Sequence, residues 1–171
     1  LELDKIIDML RDKASSSLSR TQIDSLSPSS DRLIVEAGLA ETGEAVHVIE
    51  HKGTPPFGNF YDIGGFVHLA AKQGTLTLKQ LLEVAYNLTS ARKVEAFLRE
   101  EVKDLPRASG LVSSITVLSD LEDDIKRCIL SEDEVADSAS PELKRLRRAI
   151  VNKSEAIRTK IQSIVSSQEN R

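Results

Sequence analysis

From Pro141 to Arg171 the chain contains no glycine and no further proline. Glycine and proline are the residues that most disfavour a helix interior, by about 1 and about 3 kcal/mol against alanine. A stretch of about 31 residues free of both predicts a single helix roughly 46 Å long. Its start is well specified. Ser140 stands at the N-cap, where its hydroxyl oxygen can accept a backbone N–H that has no helical partner. Pro141 takes the first helical position, where a missing N–H costs nothing, and the carboxylate of Glu142 suits the positive helix end. The other end, Gln168-Glu169-Asn170-Arg171, carries no stop signal.

Within this helix Leu143, Leu146, Ile150, Ile157, Ile161 and Ile164 recur at spacings of 3, 4, 7, 4 and 3. That is a narrow coiled-coil seam, interrupted at Lys153 or Ser154, and it requires a partner helix. The same helix carries Lys144, Arg145, Arg147, Arg148, Lys153, Arg158 and Lys160 against Glu142 and Glu155. Such a density of cations can meet phosphates, and Lys144, Arg145, Arg148, Lys153 and Arg158 are the candidate nucleic-acid contacts. Because the cations spread over several faces, the competing reading is an ordinary solvated coiled-coil surface.

Composition supports a helical fold. Hydrophobic residues make up 40% of the chain and aromatics only 4%, so the core must come from Leu, Ile, Val and Ala. The net charge of −4 excludes a generic polyanion binder but allows local basic patches. The single cysteine, Cys128, precludes an internal disulfide and fits a reducing, cytoplasmic setting. No apolar run approaches the ~18 residues of a membrane span. The opening LELDKIIDML is too acidic for a signal peptide.

Periodicity divides the remainder. Leu3, Ile6, Ile7 and Leu10 form the stripe of an opening amphipathic helix. The Ser-rich stretch up to Pro28 reads as a helix end and connector. With Ser30 or Asp31 as N-cap, a helix to about residue 51 should turn Ile34, Ala37, Ala45, Val46 and Ile49 inward. KGTPPFGNFYDIGG is the main irregular loop, its Phe57, Phe60 and Tyr61 rings expected to pin it to the core. A short helix follows, closed by Gly74. Thr77 and Gln80 make a capping box for a long helix to about Val102. Pro106 ends that run and a short helix or turn follows. Ser119 and Glu122 look like a second capping box, opening a helix through Leu121, Ile125 and Ile129. Glu134 to Ala136 can be a strand stub at most. The N-x-S/T sequons at Asn87 and Asn152 fall in helical patterns and read as chance.

Catalytic patterns are poor. His47-Val48-Ile49-Glu50-His51 fits the inverted zinc-peptidase motif, but Lys52, Gly53 and two prolines break the helix at once. No third ligand stands out, and a five-residue pattern arises readily by chance. His68 reads as an ordinary surface or boundary residue. There is no G-x-x-x-x-G-K-[ST] loop to hold nucleotide phosphates, and Gly64-Gly65 lacks the strand–turn–helix setting of a dinucleotide site. Glu132, Asp133, Glu134 and Asp137 lack the spacing of a calcium loop. Cys128, on an apolar helix, reads as a small core residue. No catalytic residue, metal or cofactor is assigned to these 171 residues.

LELDKIIDML, HKGTPPFGNFYDI and VADSASPELKRLRRAI resemble, in that order and over essentially the whole chain, the N-terminal region of the MutS-two family. These are bacterial MutS paralogues that usually end in a small Smr nuclease domain. The blocks Lys52 to Gly58 and Val135 to Arg147 carry the resemblance, while Gly38, Gly43, His47 and His51 depart from the plain charged helix expected there. The resemblance implies an all-α, elongated helical bundle of the MutS core/lever kind: a helical core over residues 1–140, then from 141 to 171 the start of a lever helix leading to a clamp. It implies a parent that is a homodimeric ATPase and endonuclease, using ATP and magnesium at sites outside this segment. It further implies branched DNA as partner, suppression of homologous recombination as role, and in some members ribosome rescue through rRNA. The segment itself is expected to be mechanical and non-catalytic, with no membrane partner. The lever helix is then expected to continue past Arg171 and to return as its own partner. The alternative reading is a helical interaction or dimerisation module.

Overall fold

The computed structural model describes residues 2–58 and 60–169. They form eight α-helices and no strand ladder: α1 Leu3–Lys13, α2 Ser17–Asp24, α3 Arg32–Lys52, α4 Gly64–Ala71, α5 Leu78–Leu98, α6 Pro106–Ser113, α7 Ser119–Cys128 and α8 Pro141–Glu169. The class is all-α, with the long helix at the C-terminal side as expected. The chain as a whole is open. A compact protein of 18.8 kDa exposes about 8,300 Å², whereas this chain exposes 13108 Å².

That excess arises because α1 to α3 and α5 to α7 pack largely in pairs and because α8 stands exposed beyond its root. α1 lies on α2, α3 on α6 and α5 on α7. Two small apolar clusters result. Val48, Val102 and Val112 meet with Leu98, Leu105 and Ala108 around them. Ala85, Ile125 and Ile129 meet under Leu78, Leu81, Leu82 and Cys128. Cys128 thus takes the expected place beside a core cluster.

Local chemistry accounts for most helix boundaries. Thr77 and Gln80 form the reciprocal capping box at α5, with Gln80 N–H donating to Thr77 Oγ1 at 3.2 Å and Thr77 N–H to Gln80 Oε1 at 2.9 Å. Asp31 caps α3 by accepting from Leu33 N–H at 2.8 Å. α6 has no capping side chain of its own. Glu44, on α3, supplies one from 63 residues away, accepting from Arg107 N–H at 3.0 Å and Ala108 N–H at 2.8 Å. A carboxylate at that helix end satisfies two orphan donors and meets the positive end of the dipole.

Several expectations are corrected. The Ser-rich connector contains a helix, α2, because Ser16 accepts from Ser19 N–H at 3.1 Å and nucleates the turn. On α3 the buried residue is Val48, while Ile34, Ala45, Val46 and Ile49 are exposed. α6 covers only one edge of that helix, so much of the apolar pattern has no partner here. α5 ends at Leu98, and Val102 is buried from the irregular turn that follows. At the end of α4 the left-handed residue is Gln73, at φ 61°, rather than Gly74. Gln73 N–H bonds Ala70 O and Gly74 N–H bonds Leu69 O, a Schellman closure. Gly74 is required for space, since a Cβ there would lie 2.3 Å from Leu69 Cδ1. The loop at 52–65 is held by Asn87 as well as by its rings, Phe60 and Tyr61 being half-buried and the Tyr61 ring lying 6.1 Å from that of Tyr86. Asn87 accepts from Tyr61 N–H at 2.9 Å and donates to Tyr61 O at 2.8 Å. Asn87, whose sequon reads as chance, thus serves as a structural clasp. Phe57 is exposed.

The largest correction concerns Glu122. It caps nothing. α7 begins after Leu118 with no side-chain cap, and Glu122 is 2% exposed beneath α5. Arg92 donates from Nε and NH2 to its two oxygens at 2.9 Å each. Lys126 Nζ reaches Oε1 at 2.6 Å and Thr89 Oγ1 lies 2.8 Å from the same oxygen. The Arg92 hydrogen bonds, opposed by burial and helped by Lys126 and Thr89, hold this carboxyl far below the usual carboxylate range. Arg92 and Lys126 keep their outer edges in water, so one buried anion joins two half-exposed cations.

Because the folded-state pKa lies below the unfolded one, the stabilisation is fully present above the ordinary carboxylate pKa of about 4.3. It is lost as pH falls from there through the lowered folded-state value. Glu122→Gln keeps the shape but removes the charge. It should cost about 1.5–3 kcal/mol at neutral pH, the range for hydrogen bonds to a charged group. Urea unfolding at pH 7 and pH 3 checks this: the difference between wild type and variant shrinks at the lower pH.

Candidate nucleic-acid interface

α8 is the one element whose surface chemistry points outward along its length. Its root is tied down first. Ser140 Oγ accepts from Leu143 N–H at 3.0 Å, the capping bond expected from the sequence. Before it, a 3-10 turn at Asp137–Ala139 packs against both α7 and α8. Ala136 N–H bonds Cys128 O at 2.8 Å, and Ile129 and Val135 form an isolated antiparallel bridge. Arg127 donates to Ser138 O at 3.2 Å and pairs with Asp124. Asp137 in turn pairs with Arg147 on α8. A continuous set of contacts therefore runs from α5 through Glu122 to α7, through the bridge to the 3-10 turn, and through Asp137 to α8.

Beyond the root the helix is bare. Leu143 is half-buried, but Leu146, Ile150, Ile157, Ile161 and Ile164 are all exposed, Ile150 at 64%. Val151 and Val165 lie exposed beside them. The six seam residues do share one face, and no helix of the described residues covers its outer part. The absent stop signal falls at residues 168–171, of which Asn170 and Arg171 lie outside the described residues.

The five candidate cations are not equivalent. Arg145 is engaged by Glu142, which accepts from its NH2 at 2.6 Å and its Nε at 2.9 Å. Lys144, Arg148, Lys153 and Arg158 form no ion pair among the described residues, and all four are exposed. Lys144, Arg145 and Arg148 border one shallow depression of about 420 Å³, with Pro141, Ala149 and Asn152 completing it. Lys144 and Arg148 are four residues apart and so project together. Arg158 stands about 80° round the axis from Arg148, and Lys153 about 140° away on the side of the seam, at 100° per residue. Of the five candidates, one pair thus stands near the root, while Lys153 and Arg158 stand singly further out.

The histidine pair of α3 sits elsewhere. The His47 and His51 rings stack with centroids 3.9 Å apart, and His51 Nδ1 lies 2.8 Å from His47 O. Both are exposed, and no cluster of three or more His, Cys, Asp or Glu groups suited to a metal occurs among the described residues. No helix among them is long and apolar enough to cross a membrane.

Sequence reasoning missed Glu122, Arg92, Glu44, Asn87 and the Arg147–Asp137 clip. For Glu122 a signal existed. It lies three residues before Ile125 and seven before Ile129, on the buried stripe, where a carboxylate must be paired. Glu44 and Asn87 gave no signal, because their partners are 63 and 26 residues away.

The fold and this site define an all-helical segment with a basic, apolar-striped helix standing out from a clamped root. Its homologues give that segment a place. The chain is 38% identical to the protein named Endonuclease MutS2 of Alkaliphilus oremlandii over 99% of its own length. It is 38% identical to that of Clostridium botulinum strain Alaska E43 and 37% identical to that of Ruminiclostridium cellulolyticum, each over 98% of its length. It spans only 22%, 22% and 21% of those three relatives. No family model matches the chain. Its homologues are MutS-two endonucleases, and the match is consistent with an N-terminal segment of such a protein.

Ser140→Ala should loosen the α8 root by about 1 kcal/mol, the usual worth of a serine N-cap. Hydrogen exchange at the Leu143 amide should quicken while exchange in α5 stays unchanged.

Proposed function

We propose that this chain is the core and lever root of a MutS-two protein and that its task is mechanical. Residues 1–140 act as the base and α8, from Pro141, as the arm. What supports the reading is the contact path from α5 through Glu122 and the 3-10 turn to Arg147, which couples the arm to the base. A rotation of the base is transmitted to the exposed part of α8 only if that root is stiff, and the path includes the charge-assisted Arg92–Glu122 and Arg147–Asp137 pairs. The segment contributes no catalytic group. ATP and magnesium would be held by other parts of the longer protein, whose activities as ATPase and endonuclease, and whose homodimeric state, belong to the same proposal.

The partner in this reading is branched DNA, and the biological role is suppression of homologous recombination. Lys144 and Arg148 are the primary phosphate contacts, because they are unpaired, exposed and adjacent. Lys153 and Arg158 are secondary. Arg145, held by Glu142, contributes less. A ribosomal RNA target would use the same cations, since counterion release is indifferent to the sugar.

The test is binding of four-way-junction DNA at several salt concentrations. Removing two phosphate contacts should reduce the slope of log affinity against log salt by about 2. Lys144→Glu with Arg148→Glu is expected to weaken junction binding at least tenfold at low salt, whereas Arg145→Ala changes it little. An unchanged affinity and slope in the double variant would remove α8 from the nucleic-acid interface. A stronger preference for structured RNA than for the junction would transfer the reading to the ribosome.

A further inference from the structure

The stripe of α8 lacks one level. Between Ile150 and Ile157 two polar residues, Lys153 and Ser154, border the stripe on opposite sides, and Lys153 is the charged one. At 100° per residue it lies about 20° from Leu146 and about 40° from Ile157 round the axis. It is exposed and forms no ion pair among the described residues. Any helix that covers the stripe will bury the base of Lys153 and bring its ammonium against the partner. A charge so desolvated is costly unless a carboxylate meets it. A charged residue at the edge of a seam also sets register and partner choice.

A second copy of α8 fits badly. The stripe from Leu143 to Ile164 is centred on Lys153 and Ser154. An in-register parallel pair sets Lys153 against Lys153, and a fully overlapping antiparallel pair sets it against Ser154 with the second Lys153 alongside. From Pro141 to Lys160 the helix carries seven Lys or Arg residues against Glu142 and Glu155, so two copies repel along their length.

We propose that the occupant of the α8 stripe is a different helix, apolar along its seam, with a carboxylate opposite Lys153 and acidic flanks. The inference rests on the lever reading of α8 as one half of a coiled coil. It adds the chemistry of the other half, which the charge on this face selects.

The chain can be titrated with synthetic helical peptides of about 28 residues. They share a Leu/Ile seam and Glu-rich flanks and differ only at the central seam position, which carries Glu, Leu or Lys. A central position faces Lys153 in either orientation. The Glu peptide is expected to bind at least tenfold more tightly than the Lys peptide, and Lys153→Glu in the chain to reverse that order. Lys153 is solvent-exposed, so the variant should keep its helix content, which circular dichroism verifies. Equal affinity for all three peptides would overturn the acidic partner and leave the coiled-coil reading standing. Binding of none would overturn both. Sedimentation showing an α8-dependent dimer that the peptides do not dissociate would make the second copy the occupant. Junction-DNA binding is compared between the wild type and the Lys144→Glu/Arg148→Glu variant, which leaves Lys153 and the stripe intact, so failure of the nucleic-acid reading is separable from each of these outcomes.

Discussion

The Glu122 carboxylate is the constraint around which the rest of the base is arranged. α5 and α7 share only a small apolar cluster, and a cluster of that size orients two helices loosely. A buried carboxylate gripped by a planar guanidinium admits one geometry, because the fork of Arg92 matches the two oxygens only when the helices stand at a fixed register. Desolvation opposes the charge, and the pair persists because both carboxylate oxygens accept hydrogen bonds, Oε1 from three donors and Oε2 from one. Arg92 and Lys126 keep contact with water, which lowers the cost of holding an anion below them. The gain is in definition of the structure as much as in free energy.

A fixed α7 gives α8 a fixed root. The antiparallel bridge, the 3-10 turn and the Asp137–Arg147 pair are all short-range contacts built on the C-terminal end of α7. Their sum is a stiff corner from which a 29-residue helix departs. On the other side, Glu44 ties α3 to the start of α6 in a comparable way, one carboxylate capping a helix that has no cap of its own. The base is therefore held by a few charge-assisted contacts between paired helices, with little shared core. Such an arrangement fits a part that is covered by other surfaces. The exposed apolar residues of α3 and α8, and a surface far above that of a compact protein of the same mass, point to the same need.

Much of the fold was legible. Ser140, Thr77 with Gln80, and Asp31 act within three residues of themselves, so their caps can be read from spacing alone. The α8 seam and its cations were legible for the same reason, as was the class of the fold. The second capping box failed because a carboxylate three residues after a serine has two possible uses. Only the position of α5 decides which one prevails. The inward face of α3 failed because the pattern marks every apolar residue, whereas burial depends on which neighbour is present. The basic residues of α8 were all identified, but pairing separated them: Glu142 claims Arg145 and Asp137 claims Arg147, leaving Lys144, Arg148, Lys153 and Arg158 without an ion pair among the described residues.

By itself the sequence determined most of the helices, the local caps at Asp31, Thr77 and Ser140, the one long C-terminal helix and its two kinds of surface. These depend on interactions within one or two helical turns, where chain connectivity fixes distance. The tertiary structure alone decided that Glu122 is buried, that Asn87 clasps the loop, that Glu44 caps α6 and that the arm is rooted through Asp137. Each of those joins residues that only packing brings within hydrogen-bond reach, and no local pattern encodes that distance.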